Sequence, residues 1–105
     1  MGSSDFHITR AADWTENRGR EISSTEWQTY AASDPELSAD PRNGPNAVIW
    51  TEHPTDSESW LDWSGGNVYS GGADTALIDK MQAIAERLDA RLVDDDNQIM
   101  RASSR

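Results

Sequence analysis

Two periodicities run through this chain. Phe6 and Ile8 alternate with His7 and Thr9 between Asp5 and Arg10. A period of two sends successive side chains to opposite faces, so the segment predicts a strand. Ala11 to Glu21 is polar, holds Gly19 and predicts a loop carrying Trp14. The pattern then changes. Ser23-Ser24-Thr25-Glu26 matches a capping box, in which the serine accepts from a backbone N–H and the glutamate returns the bond. Ile22 before the cap and Trp27 at the fourth helical position can form a hydrophobic staple. Trp27, Tyr30 and Ala31 share one helical face, and Pro35 biases Asp34 away from helical angles, so the helix ends near Ser33.

Residues 34–46 contain Pro35, Pro41, Gly44 and Pro45 and predict a loop, with one short turn at Pro35-Glu36-Leu37. Ala47 to Thr51 is a continuous apolar run that predicts a buried strand, and Glu52 to Ser59 is a polar turn around Pro54. Trp60 to Trp63, then Ser64-Gly65-Gly66-Asn67, then Val68-Tyr69 predict a β-hairpin. Asp74 or Thr75 can cap a second helix reaching about Leu88, whose residues Leu77, Met81, Ile84, Ala85 and Leu88 form one apolar stripe. Leu92-Val93 and Gln98-Ile99-Met100 predict two short strands around Asp94-Asp95-Asp96-Asn97. The order implies the α+β class: a mainly antiparallel sheet of four to five strands with two helices packed on one face. Residues 5–101 read as one domain, residues 1–4 as a disordered or vector-derived terminus and residues 102–105 as a loose tail.

Composition changes this picture in one respect. Leu, Ile, Val and Phe make up only about 14% of the 105 residues, below the roughly 20% that, with high charge, signals disorder. Five tryptophans and two tyrosines offset this shortage, because each large ring can bury about 150–250 Å². The core is therefore expected to be rich in tryptophan: Trp27, Trp50 and one of Trp60 or Trp63. On a strand Trp60 shares a face with Asp62, and Leu61 with Trp63, so one tryptophan is expected at the surface beside acids.

Charge narrows function more than fold. Nineteen acids against nine cations give a net charge of −10, and Lys80 is the single lysine. Direct binding to nucleic acid or to an anionic membrane is disfavoured, since both are negative. The absence of cysteine excludes disulfides and thiolate chemistry. No apolar run is long enough to span a bilayer, and the expected location is the cytoplasm. His7 and His53 match no nucleophile–base motif; His7 is expected to line a sheet face and His53 to be solvated. Asp94-Asp95-Asp96-Asn97-Gln98 resembles the start of a calcium loop, but Ile99 and Arg105 stand where that loop needs glycine and glutamate. It reads as an acidic turn, with no metal and no cofactor expected. Gly65-Gly66 and Gly71-Gly72 lack the phosphate-loop pattern.

The acids are unevenly spread. From Asp34 to Asp62 the only cation is Arg42, and a second dense run is Asp94 to Asp96. If these segments meet, they form a negative face that would attract a basic groove made for nucleic acid. Acidity that merely keeps the chain soluble is the competing explanation.

Three runs carry a resemblance: Ile22-Ser23-x-x-Glu26-Trp27, Ala32 to Leu37, and Lys80-Met81-x-x-Ile84-Ala85-x-x-Leu88-x-Ala90. Together with the tryptophan hairpin they resemble a widespread family of small acidic uncharacterised bacterial proteins. That family ends in a G-D-x-G-E-x-Y-like segment, whose glycine, glutamate and tyrosine are missing from Val93 to Met100 here. The shared motifs are caps, core positions and turns, so they imply a fold and no reaction. In size and charge the chain also looks like phage anti-CRISPR-type inhibitors that mimic DNA, and like immunity proteins that neutralise toxins. The resulting expectation is a non-enzymatic, monomeric inhibitor of a bacterial defence complex. Glu52, Asp56, Glu58, Asp62 and Asp94, Asp95 and Asp96 would stand in for phosphates on the partner's basic nucleic-acid-binding surface, and Trp60 would anchor the contact. The alternative is an immunity or antitoxin-like protein.

Overall fold

The computed structural model describes residues 5–55, 57–71 and 74–99. The readings made for residues 1–4, Asp56, Met100 and residues 101–105 lie outside these. The described residues form β1 (Asp5–Thr9), α1 (Ser24–Ser33), β2 (Leu37–Ala39), β3 (Val48–Trp50), β4 (Trp60–Ser64), β5 (Asn67–Gly71), α2 (Thr75–Arg87) and β6 (Arg91–Asp94). All six strands join one antiparallel sheet in the order β2-β3-β4-β5-β1-β6.

Six strands replace the expected four to five. The unforeseen one is β2, which the prolines had suggested was loop. Leu37, Ser38 and Ala39 pair with Trp50, Ile49 and Val48. Pro35 and Pro41 fall just outside these three residues, so neither removes a donor from the ladder. Pairing with β3, and not local propensity, makes this segment extended. At the other edge, Gln98-Ile99 contributes only an isolated Val93–Ile99 bridge among the described residues.

The helices begin where the pattern predicts. Ser23 Oγ accepts from Glu26 N at 3.0 Å, and Glu26 Oε1 accepts from Ser23 N at 2.9 Å. Ile22 and Trp27, the staple pair, are both fully buried. Asp74 Oδ1 accepts from Leu77 N at 3.1 Å and caps α2. Arg10 then ties the two helices together: its guanidinium forks onto Glu26 at 3.1 and 3.0 Å and donates to the Leu88 carbonyl near the end of α2 at 2.8 Å.

Trp27 of α1, Leu77, Met81, Ile84 and Ala85 of α2 and Leu88 at its C-terminal cap enter one core with Ile8, Val48, Leu61, Val68 and Leu92. The sheet members share a face by register, as Val48 pairs with Leu61 and Ile8 with both Val68 and Leu92. Trp27 and Trp50 are buried, Trp63 packs against the core, and Trp60 is left at the surface. At the hairpin, Gly65 and Gly66 have φ of 59° and 93°, the left-handed pair that a two-residue turn of this hand needs. The loop from residue 11 to 21 folds over this turn, where Asn17 Nδ2 donates to the Gly65 carbonyl at 2.8 Å.

Candidate functional site

Alternation along the strands assigns the residues of the opposite sheet face. Register aligns Asp62, Tyr69, His7 and Val93 across β4, β5, β1 and β6. A second row brings Ile49 opposite Trp60, and Asp5 opposite Gly71. Neither helix lies on this face. Its β1–β6 end is covered instead by the loop carrying Trp14, whose ring stacks on His7 with centroids 3.6 Å apart and planes 9° from parallel.

That cover is locked by the acidic turn. Trp14 N donates to Asn97 Oδ1 at 2.9 Å, Trp14 Nε1 donates to the Asp95 carbonyl at 3.1 Å, and Asn97 Nδ2 donates to Asp13 Oδ1 at 3.0 Å. Asp95 Oδ1 lies 2.8 Å from His7 Nε2, and Asp95 Oδ2 accepts from Asp5 N at 3.2 Å. The His7 contact holds the Asp95 carboxyl below its ordinary range. Asp94 Oδ1 accepts from the backbone N–H groups of Asp96 and Gln98, both at 2.9 Å. Thus Asp94 organises its own turn, and Asp95 ties that turn to β1. No group of three or more His, Asp or Glu side chains converges as a metal cage among the described residues.

The β3–β4–β5 end of the face is open. Trp60 is 37% exposed. Its ring meets Tyr69 edge to face, with centroids 5.5 Å apart and planes at 84°. Gly71 leaves room beside it: a Cβ there would lie 3.6 Å from Trp60 Cζ2 and 3.0 Å from Asp5 Oδ1. Burial first, and then the charges of Asp62 and Asp5, push the Tyr69 phenol up. The aromatic pair is therefore flanked by carboxylates from β4 and β1. A cavity of about 280 Å³ opens between the pair and the segment after β2, lined by Asp40, Asn43, Ala47, Trp60, Asp62 and Tyr69.

The residues singled out from sequence do not form one continuous patch. Glu58, Trp60 and Asp62 lie together at the start of β4, where Glu58 and Trp60 also border a second cavity with Asp74. Glu52 is exposed in the preceding loop, and Asp56 lies outside the described residues. Asp94 ends β6, with Asp95 and Asp96 just after it, and β5 and β1 separate β6 from β4, about 14 Å at ordinary strand spacing. Asp5 bridges part of that gap. Sequence reasoning missed Asp5, Asp40 and Tyr69. Counting back from the Gly65-Gly66 turn could have paired Asp62 with Tyr69; no local signal pointed to Asp40.

His53 corrects another expectation. Its side chain is 2% exposed rather than solvated. Its ring sits edge-on to Trp50, Nδ1 accepts from Thr55 N at 3.0 Å, and Nε2 therefore donates to Asp74 Oδ2 at 2.8 Å. This bond draws the Asp74 carboxyl down and pins the β3–β4 loop to the start of α2.

Comparison with known proteins gives no matching family model, no matching curated protein and no matching solved structure.

Proposed function

We propose that this protein is a small non-enzymatic inhibitor that binds a basic nucleic-acid-binding surface of a bacterial CRISPR-type defence complex and blocks DNA binding by charge mimicry. The observation that carries the reading is the helix-free sheet face, where the exposed Trp60 lies two residues from Asp62 on β4 and faces Asp5 across Gly71. A groove built for a duplex expects about one negative charge per 1.7 Å of axis. A chain of net charge −10 meets such a groove with favourable long-range steering. An aromatic ring amid these charges supplies the desolvated anchor that charge alone lacks. Because Asp94 is engaged in its own turn and Asp95 with His7 and the Asp5 N–H, the contact centres on Glu58, Trp60 and Asp62, with Asp5 beside them.

The test is competition. The purified protein is titrated into a CRISPR effector complex holding fluorescent target DNA. Wild type displaces the DNA in a salt-sensitive manner, and the Glu58→Lys/Asp62→Lys variant, folded by circular dichroism, does not. Undiminished displacement by that variant contradicts the assignment of the face. The wide separation of the two acidic segments favours a second reading, an immunity or antitoxin-like protein gripping a single toxin. Tight capture of a toxin that has no nucleic-acid groove would support it.

A further inference from the structure

The geometry points to the cavity bounded by Trp60, Tyr69, Asp62 and Asp40 as the seat of one arginine side chain from the basic partner. This inference rests on reading the face as a binding surface for a basic protein, and it names the group that the surface grips. Three observations carry it. The first is the wall. Trp60 is a large aromatic ring left 37% exposed on a sheet face, held at 84° to Tyr69. A ring so placed offers a surface on which a flat cation can stack.

The second is the charge inside. Asp40 is buried, with a side chain only 7% exposed. Its Oδ2 accepts from Asn43 Nδ2 at 2.6 Å, and Oδ1 makes an ion pair with Arg42 Nε at 3.7 Å, too long for a hydrogen bond, from a side chain that is 90% exposed. Among the described residues Oδ1 thus has an ion pair but no hydrogen bond, and it can still accept from a charged donor. Asp62 supplies a second carboxylate on the same cavity. Among the described residues no lysine or arginine lines the cavity itself, so its two carboxylates favour a cation over an anion.

The third is size. About 280 Å³ lies below the roughly 300–1,000 Å³ of pockets for drug-sized ligands, and it suits a single long side chain. Arginine fits this combination better than lysine. Its guanidinium is planar and weakly hydrated, stacks on aromatic rings and presents several donors in a fixed fork, whereas the lysine ammonium is a compact, strongly hydrated point charge. Arg42 at the rim is then a resident competitor for Asp40.

The experiment is an NMR titration of the full ¹⁵N-labelled chain with N-acetyl-arginine methylamide, and separately with its lysine counterpart. The indole resonance of Trp60 is assigned through Trp60→Phe. The arginine probe shifts the Trp60 indole and the Asp62 and Tyr69 amides saturably, and binds several-fold tighter than the lysine probe. Asp62→Asn, checked as folded by its spectrum, weakens binding about tenfold; Arg42→Ala tightens it; Glu86→Gln, at an exposed position of α2 on the other side of the sheet, leaves it unchanged. A Trp60 signal that does not move, equal response to both probes, or full binding by Asp62→Asn overturns the inference. If the probe fails while the protein still displaces DNA from its partner, the cavity assignment falls alone. If the probe binds but no DNA is displaced, the functional reading falls and the arginine site stands.

Discussion

Trp27 and Trp60 differ sharply in burial. Trp27 is fully buried and its Nε1 donates to the Asn46 carbonyl at 2.8 Å. Trp27→Ala should cost about 3–5 kcal/mol in urea unfolding, the range for emptying a large aromatic core site. Trp60 contacts Tyr69 on an open face, so Trp60→Ala should cost no more than about 1–2 kcal/mol while removing most of the partner affinity. A Trp60→Ala variant that unfolds as readily as Trp27→Ala would make the ring structural. Glu26 gives a test by pH. The Arg10 fork, followed by the Ser23 backbone N–H, draws its carboxyl from an ordinary 4.5 to about 2. Its contribution to stability is therefore complete above about 4.5 and is lost as pH falls from there through about 2. Glu26→Gln should flatten the stability curve in that acid window, measured by urea midpoints at successive pH values. An unchanged slope would show that other carboxylates carry the acid sensitivity.

The elements differ in how much of them can be read locally. The capping box at Ser23, the apolar stripe from Leu77 to Leu88 and the Gly65-Gly66 turn are short-range signals, and each element stands within a residue or two of where those signals place it. Two features lack such signals. β2 is three residues between prolines and becomes a strand only because β3 supplies its partners. The lock between the Trp14 loop and the acidic turn joins residues more than eighty positions apart, a distance no pattern window spans. The run Asp94 to Asn97 was legible as a turn, but not the task of each residue within it. Asn97, at φ 64°, bonds both Trp14 N and Asp13. Asn97→Ala should destabilise the fold by about 1–2 kcal/mol and speed amide exchange over residues 11–20. The exposed Asp96 should tolerate alanine within about 0.5 kcal/mol. Equal costs at the two positions would mean that the turn is held by charge and not by Asn97. The candidate face was half legible: alternation placed Trp60 with Asp62, whereas Asp40 reached the same cavity through a proline-rich segment with no periodicity.

At the scale of the molecule, the helices and the aromatic core occupy one side of the sheet, and a covered end and an open end divide the other. A net charge of −10 surrounds this arrangement, and salt screens it over about 8–10 Å at physiological ionic strength. Association with a basic partner should therefore slow as salt rises, whereas contacts centred on Trp60 should set the dissociation rate. Stopped-flow association at increasing salt reads the first, and the dissociation rate of Trp60→Ala reads the second. An association rate indifferent to salt would contradict electrostatic steering. A capture experiment tests whether this acidic face occupies a nucleic-acid-binding surface. Bacterial nucleic-acid-binding complexes are passed over immobilised wild-type protein and over Glu58→Lys/Asp62→Lys, eluted with a salt gradient and identified by mass spectrometry. Wild type alone should retain, in stoichiometric amount, a basic protein that is released by salt and cannot bind DNA while captured. Equal retention on both columns, or a captured protein that still binds DNA in the complex, would contradict charge mimicry by this face.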